Sequence, residues 1–283
     1  MTPRIDSHTH LFPPSQARNR QALAERDLTF AEMYSDSRAT MASIDELYAA
    51  IADARLDAAV CAGFAFGHEQ DIEEQNAYLL QSARNSAGIV LPLATLNLTH
   101  VAWRTACEGA LREGARGFGE LRPRSQGWDP GGVGAHELCE LAAVANAVLL
   151  WHVSEPLGHD YPGKTGGIAP TELAHLAAAH PETKMVAAHL GGGLSFYLQM
   201  PEVKRSLRNV WFDTAAAFLL YDGESVSRLI GLAGQERVLF ASDYPLLSPR
   251  RQLELLESSL PGGAVEAVFG GNAKTLFSDT HRQ

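Results

Sequence analysis

The sequence predicts an α/β chain folded as a (β/α)8 TIM barrel, and three observations carry that expectation. Eight short apolar runs read as buried strands, amphipathic stretches of helical length separate them, and no linker or low-complexity segment interrupts the series over 283 residues. Strands that alternate with helices imply a parallel sheet, because every parallel connection must cross the sheet face. Eight such units in one uninterrupted chain fit closure into a barrel better than an open doubly wound sheet.

Taken in order, the expected strands occupy residues 3–7, 56–63, 88–96, 115–120, 148–153, 184–189, 209–214 and 237–243. Helices are expected over 43–54, 68–86, 100–113, 136–147, 171–180 and 224–233, each with apolar residues at helical spacing. In the first of these, Ser43 and Glu46 form a capping box ahead of Leu47, Ala50 and Ile51. Two connections exceed the usual few residues, 11–40 after the first strand and 154–169 after the fifth. Long βα connections are commonly functional loops or lids, and both would lie on the face where barrels keep their active sites. A single domain over 1–283 is expected.

Composition narrows the function. A formal charge of −10 and a pI near 5.5, with no basic run, argue against a nucleic-acid or anionic-membrane surface. The N-terminal residues lack the basic stretch and apolar core of a signal peptide, and no stretch approaches eighteen apolar residues. A cytoplasmic enzyme is the default expectation, and a homo-oligomer is compatible with it. Cys61, Cys107 and Cys139 are widely spaced without a CxxC pair, so they read as small apolar core residues.

His8 and His10 are two residues apart, so at an extended strand end both imidazoles point to one side, roughly 7 Å apart at the backbone. Alone, the pair is a weak signal. Other strand ends strengthen it: the fourth ends in Glu120 (GFGEL), the fifth in His152 (LLWHV), the sixth in His189 (VAAHLGGG) and the eighth in Asp243 (LFASDYP). In a barrel these ends converge on one mouth, and imidazoles with carboxylates suit zinc and other divalent first-row metals. Each residue also has a plainer reading: His152 as a satisfied core histidine, His189 as a turn residue, Asp243 as an acceptor for a backbone amide, and Glu120 as a partner of Arg122.

The ordered set DSHTH, GFGEL, a strand-five histidine, AHLGGG, SDYP and the closing GGNAKTLF resembles the amidohydrolase superfamily, in particular its amidohydrolase-related branch, over nearly the full chain. The resemblance implies that His8, His10, His152, His189 and Asp243 surround one or two divalent metals, with zinc as the default. Glu120 would bridge the two ions of a binuclear centre. It also implies a hydrolase in which a metal-activated water attacks a small carbonyl or ester-type substrate, a lactone or amide, with Asp243 as general base and then acid. The branch contains decarboxylases too, so non-oxidative decarboxylation on the same scaffold is the competing expectation; a barrel that only binds a ligand is a third.

Substrate recognition falls to the loops, and Arg122, His159, Lys164 and Tyr244 are the donors nearest to strand ends. Arg122 leads, because a guanidinium clamps a carboxylate in two-pronged fashion; the substrate is then a small and anionic molecule. Gly191, Gly192 and Gly193 allow close backbone approach at the rim. Residues 158–165 (GHDYPGKT) satisfy the P-loop pattern, yet Gly166, Gly167 and Pro170 follow, so no helix opens at Lys164 to hold phosphate, and a nucleotide hydrolase is disfavoured.

Overall fold

The computed structural model describes residues 2–278. Eight parallel strands follow one another around a sheet in sequence order: β1 (Ile5–His10), β2 (Ala58–Ala62), β3 (Val90–Ala94), β4 (Gly117–Leu121), β5 (Val148–Trp151), β6 (Lys184–Ala187), β7 (Val210–Asp213) and β8 (Val238–Leu239). The barrel closes where the chain beyond β8 meets β1. Ser7 N donates to Phe240 O at 2.9 Å, Asp243 N to His8 O at 3.0 Å, and His10 N to Tyr244 O. Buried Asp6 reinforces this seam, its carboxylate accepting Ser242 N at 3.0 Å and Ser242 Oγ at 2.5 Å.

Strand residues alternate between two cores, as period-two geometry requires. Val60, Ala62, Leu93, Leu150 and Val186 pack inside the barrel, and Ala273, Leu276 and Phe277 join the same cluster. Their neighbours Ala59, Cys61, Leu149 and Ala187 face the surrounding helices. All three cysteines are free and buried.

The expected elements are present with shifted ends. β1 runs on to His10, so both histidines lie within the strand. β8 is shorter than expected, because beyond Leu239 the chain bonds to the Thr214 hydroxyl (Ala241 N to Oγ1, 2.9 Å) in place of the β7 backbone. The capping box forms: Ser43 N donates to Glu46 Oε2 at 2.7 Å at the head of the helix Ile44–Ala54. The first long connection holds three short helices, Pro14–Arg18, Arg20–Arg26 and Leu28–Tyr34. Phe12, Phe30, Tyr34, Phe64 and Phe66 form a separate aromatic cluster beneath them. The connection after β5 is irregular, pinned by a bridge between Val153 and Ile168. Among the described residues no helix is long and apolar enough to cross a membrane.

Candidate metal centre

Five strand ends deliver six side chains to the C-terminal mouth of the barrel. They form two groups of donor atoms, His8 with His10 and Asp243, and Glu120 with His152 and His189. His8 Nε2 lies 3.1 Å from His10 Nε2, 3.7 Å from Glu120 Oε1 and 3.9 Å from Asp243 Oδ1. His10 Nε2 is 3.4 Å from Asp243 Oδ1. On the other side, Glu120 Oε1 lies 2.8 Å from His152 Nδ1 and 3.3 Å from His189 Nε2, and those two ring nitrogens are 3.2 Å apart.

The outward ring nitrogens fix the orientation. His8 Nδ1 donates to Asp213 Oδ2 at 2.9 Å, His10 Nδ1 to Gly63 O at 3.4 Å, and His189 Nδ1 to Ala215 O at 3.0 Å. Each acceptor is a carboxylate or carbonyl oxygen, so the ring proton sits on Nδ1 and the Nε2 lone pair faces inward. His152 is turned the other way, with Nε2 2.9 Å from Ser154 Oγ and Nδ1 facing in.

This donor set fits a divalent cation. Two inward lone pairs at 3.1 Å repel unless positive charge lies between them. Donors held at ~2.1 Å from one ion stand about 3–4 Å apart, which is the spacing described above. Without the cation, protons supply the charge. Burial would lower His8, but Asp213, Glu120 and Asp243 outweigh it and push it up to about 10. Burial is likewise outweighed at His189, pushed up to about 9 by Glu120 and Asp243. Burial would raise the Glu120 carboxyl, yet His152, His189 and His8 hold it well below its usual range; Asp243 is held down in the same way by His10, His8 and His189. Burial and Arg122 push His152 down to about 4.

Two of the six sit on backbone of positive φ, His189 at 57° and Asp243 at 62°. Hydrogen bonds hold both: His189 N donates to Asp213 Oδ1 at 2.9 Å, and Asp243 N to His8 O. The glycines after His189 do what the sequence suggests at Gly192, where a Cβ would stand 2.8 Å from the Ser154 carbonyl.

Above the cluster lies a cavity of about 590 Å³, and it sorts the expected substrate donors. Arg122 lines it and is buried, with Nη2 donating to Gly163 O at 2.8 Å and Thr165 O at 2.6 Å. His159 also lines it. Lys164 does not: Nζ donates to the carbonyls of Leu157, Gly158 and His159 at 3.0, 3.2 and 2.7 Å, so its protons lock the loop. Tyr244 is displaced as well, its ring packed against the outer core while Pro245 and Leu246 reach the cavity. The GHDYPGKT segment opens no helix; the next one begins at Pro170. With Lys164 turned onto loop carbonyls, no phosphate cradle exists there.

Sequence reasoning missed Asp213 and Tyr34. Asp213 is fully buried and holds the His8 ring and the His189 amide with one carboxylate. Its signal was its place at the end of the seventh strand. Tyr34, from the first long loop, lines the cavity with no signal in its own sequence context.

A barrel with imidazoles and carboxylates gathered at its C-terminal mouth is the architecture of a metal-dependent enzyme. The family model described as Amidohydrolase matches residues 5–278, and the chain belongs to that family. Comparison with curated protein sequences finds no significant match. Solved structures similar to the chain include 5-carboxyvanillate decarboxylase from Sphingomonas paucimobilis (16% identity, TM-score 0.75, covering 98% of this chain and 99% of that one). Another is 2,6-dihydroxybenzoate decarboxylase from Rhizobium (14%, 0.73, 98% and 99%). A third is 5-carboxyvanillate decarboxylase from Novosphingobium aromaticivorans DSM 12444, complexed with manganese and 4-hydroxy-3-methoxy-5-nitrobenzoic acid (15%, 0.76, 98% and 96%).

These neighbours correct the expectation of hydrolysis. Most of the similar structures that match the barrel from end to end are named as decarboxylases. Glu120 Oε1 lies within reach of His152, His189 and His8, so this carboxylate stands between the two donor groups.

Proposed function

We propose that the protein is a metal-dependent, non-oxidative decarboxylase of a hydroxylated aromatic acid. The observation that carries this reading is the cavity itself: its floor is the donor cluster, and Met33, Tyr34, Phe64, Leu219, Leu220 and Pro245 contribute apolar surface around it. A cavity of about 590 Å³ with apolar walls above that cluster has room for a single aromatic ring. The decarboxylases with the same barrel support it, being named for 5-carboxyvanillate and 2,6-dihydroxybenzoate.

His8, His10, Glu120, His152, His189 and Asp243 would hold the cation, and their mix of nitrogen and carboxylate oxygen suits manganese as well as zinc. When bound, a divalent cation supplies positive charge that holds the oxygens of the substrate and steadies negative charge developing on the ring. The chain does the rest. The apolar walls exclude water and fix the plane of the ring, so that the carboxyl group leaves as carbon dioxide with no nucleophile required. The electron pair of the broken carbon–carbon bond stays on the ring carbon and takes up one proton. We assign that proton transfer to Asp243, whose carboxylate joins the cluster and lines the cavity: it would first take the proton of the substrate's ring hydroxyl and then deliver it to the ring carbon, the product oxygen regaining a proton from water on release.

The test is to load the protein with manganese or with zinc and supply 2,6-dihydroxybenzoate and 5-carboxyvanillate. One carbon dioxide per product is expected, and in D2O one deuterium on the carbon that carried the carboxyl group. Turnover of lactones or amides by the loaded protein, with no carbon dioxide from either aromatic acid, would overturn the reading.

A further inference from the structure

The outward ring nitrogens of His8, His10 and His189 face oxygens that can only accept, so the fold itself sets their tautomers. His152 is different. Its Nε2 lies 2.9 Å from the Ser154 hydroxyl, which can donate or accept, so Ser154 alone leaves the position of the ring proton open. That position matters at the centre. A proton on Nε2 leaves the Nδ1 lone pair to a cation, whereas a proton on Nδ1 would bond Glu120 Oε1 at 2.8 Å and close that nitrogen to metal.

What lies beyond Ser154 decides between the two. Its side chain bonds the Tyr161 hydroxyl, and that hydroxyl donates to Glu155 Oε2 at 2.9 Å. The other oxygen of Glu155, Oε1, accepts the Tyr221 hydroxyl at 2.5 Å. Burial and Glu155 push both tyrosines up, so each keeps its proton and donates it to the carboxylate. Tyr161 has a single proton and gives it to Glu155, so toward Ser154 its oxygen can only accept. Ser154 therefore points its own proton at Tyr161 and accepts from His152 Nε2. Each link leaves one direction for the next, and the carboxylate at the far end sets the sense of the whole chain.

We infer that Glu155 is a positioning residue: acting through Tyr161 and Ser154, it holds the ring proton of His152 on Nε2 and so keeps Nδ1 open to the cation. Tyr161 also lines the cavity, and Tyr221 closes the short helix Ala217–Leu220 beyond β7. One donor of the centre thus depends on how the connection after β5 is seated against the segment after β7. The inference rests on His152 being a donor of the metal centre, as in the decarboxylase reading, and is independent of the substrate.

Nitrogen–proton correlation NMR on full-length, metal-free protein carrying isotope-labelled histidine reads the tautomer of each ring, and a His152→Gln variant identifies the His152 signal. In the wild type the proton is expected on Nε2. In Glu155→Gln, whose amide can donate as well as accept, and in Tyr161→Phe, which ends the chain at Ser154, the form with the proton on Nδ1 is expected to become the major one, drawn there by Glu120. Manganese affinity, read from the free-manganese signal in electron paramagnetic resonance, is expected to fall about tenfold or more in both variants.

A clasp that merely held the loop would lower the melting temperature and leave the proton on Nε2, and that result overturns the inference. The wild type decides the point even where a variant fails to fold: a His152 proton on Nδ1 in that protein overturns the chain outright. A wild type that retains no manganese while its His152 proton sits on Nε2 overturns the metal centre and upholds the chain.

Discussion

Asp213 carries more of the centre than its distance from the cavity suggests. One of its oxygens accepts from the His8 ring, and the other from the backbone amides of His189 and Ala215, at 2.9, 2.9 and 3.1 Å. It thereby fixes the tautomer of one donor residue and holds the left-handed backbone of another, a conformation that costs about 1 kcal/mol or more when unsupported. Asn at this position cannot accept on both sides, since its amide would point N–H groups at a donor. Asp213→Asn is therefore expected to weaken metal affinity by about 10- to 100-fold. Competition with a chromophoric chelator reads this directly, and unchanged affinity would remove Asp213 from the role. Its position at a strand end was visible in the sequence. Its partners were not, because a ring nitrogen from β1 and two amides from beyond β6 and β7 meet it only in the folded barrel.

At the scale of elements, the seam between β1 and the chain beyond β8 positions three of the six donors. Asp6 is the buried clasp of that seam, accepting from Ser242 N, Ser242 Oγ and, at 3.3 Å, His8 N. Asp6→Ala leaves these buried donors unsatisfied, and a loss of about 3 kcal/mol is expected in chemical denaturation, with metal affinity falling alongside. A change below about 0.5 kcal/mol would show that the seam holds without it. The strands and the gathering of six side chains at one mouth were legible from apolar runs and the residues ending them. The loops were harder to read. Lys164 and Tyr244 looked like substrate donors because they stand near strand ends, but where a loop side chain points depends on which carbonyls and apolar surfaces surround it. Hydrolysis and decarboxylation were not separable either, since both use the same kinds of donor.

For the whole molecule, the centre couples pH, metal and stability. In the metal-free protein His8 and His189 are raised to about 10 and about 9, above the ordinary histidine value of 6.5. Their protonated forms contribute stability that is fully present below pH 6.5 and lost as pH rises through about 9 and about 10. Metal uptake demands that these protons leave, so the stabilisation by a fixed concentration of metal is expected to grow between pH 6 and pH 9. Calorimetric melting at several pH values with and without manganese measures this; a metal-induced increment that shrinks with rising pH would contradict the assigned donors.

The seam also sets the order in which the molecule can be completed during synthesis. His8 and His10 emerge from the ribosome more than two hundred residues before Asp243, and Asp213 follows His8 by 205 positions. Through most of translation the first histidines therefore wait without their orienting carboxylate or their closing neighbour. The centre is a late-maturing feature, and occupancy by metal marks a chain whose last strand has docked against its first.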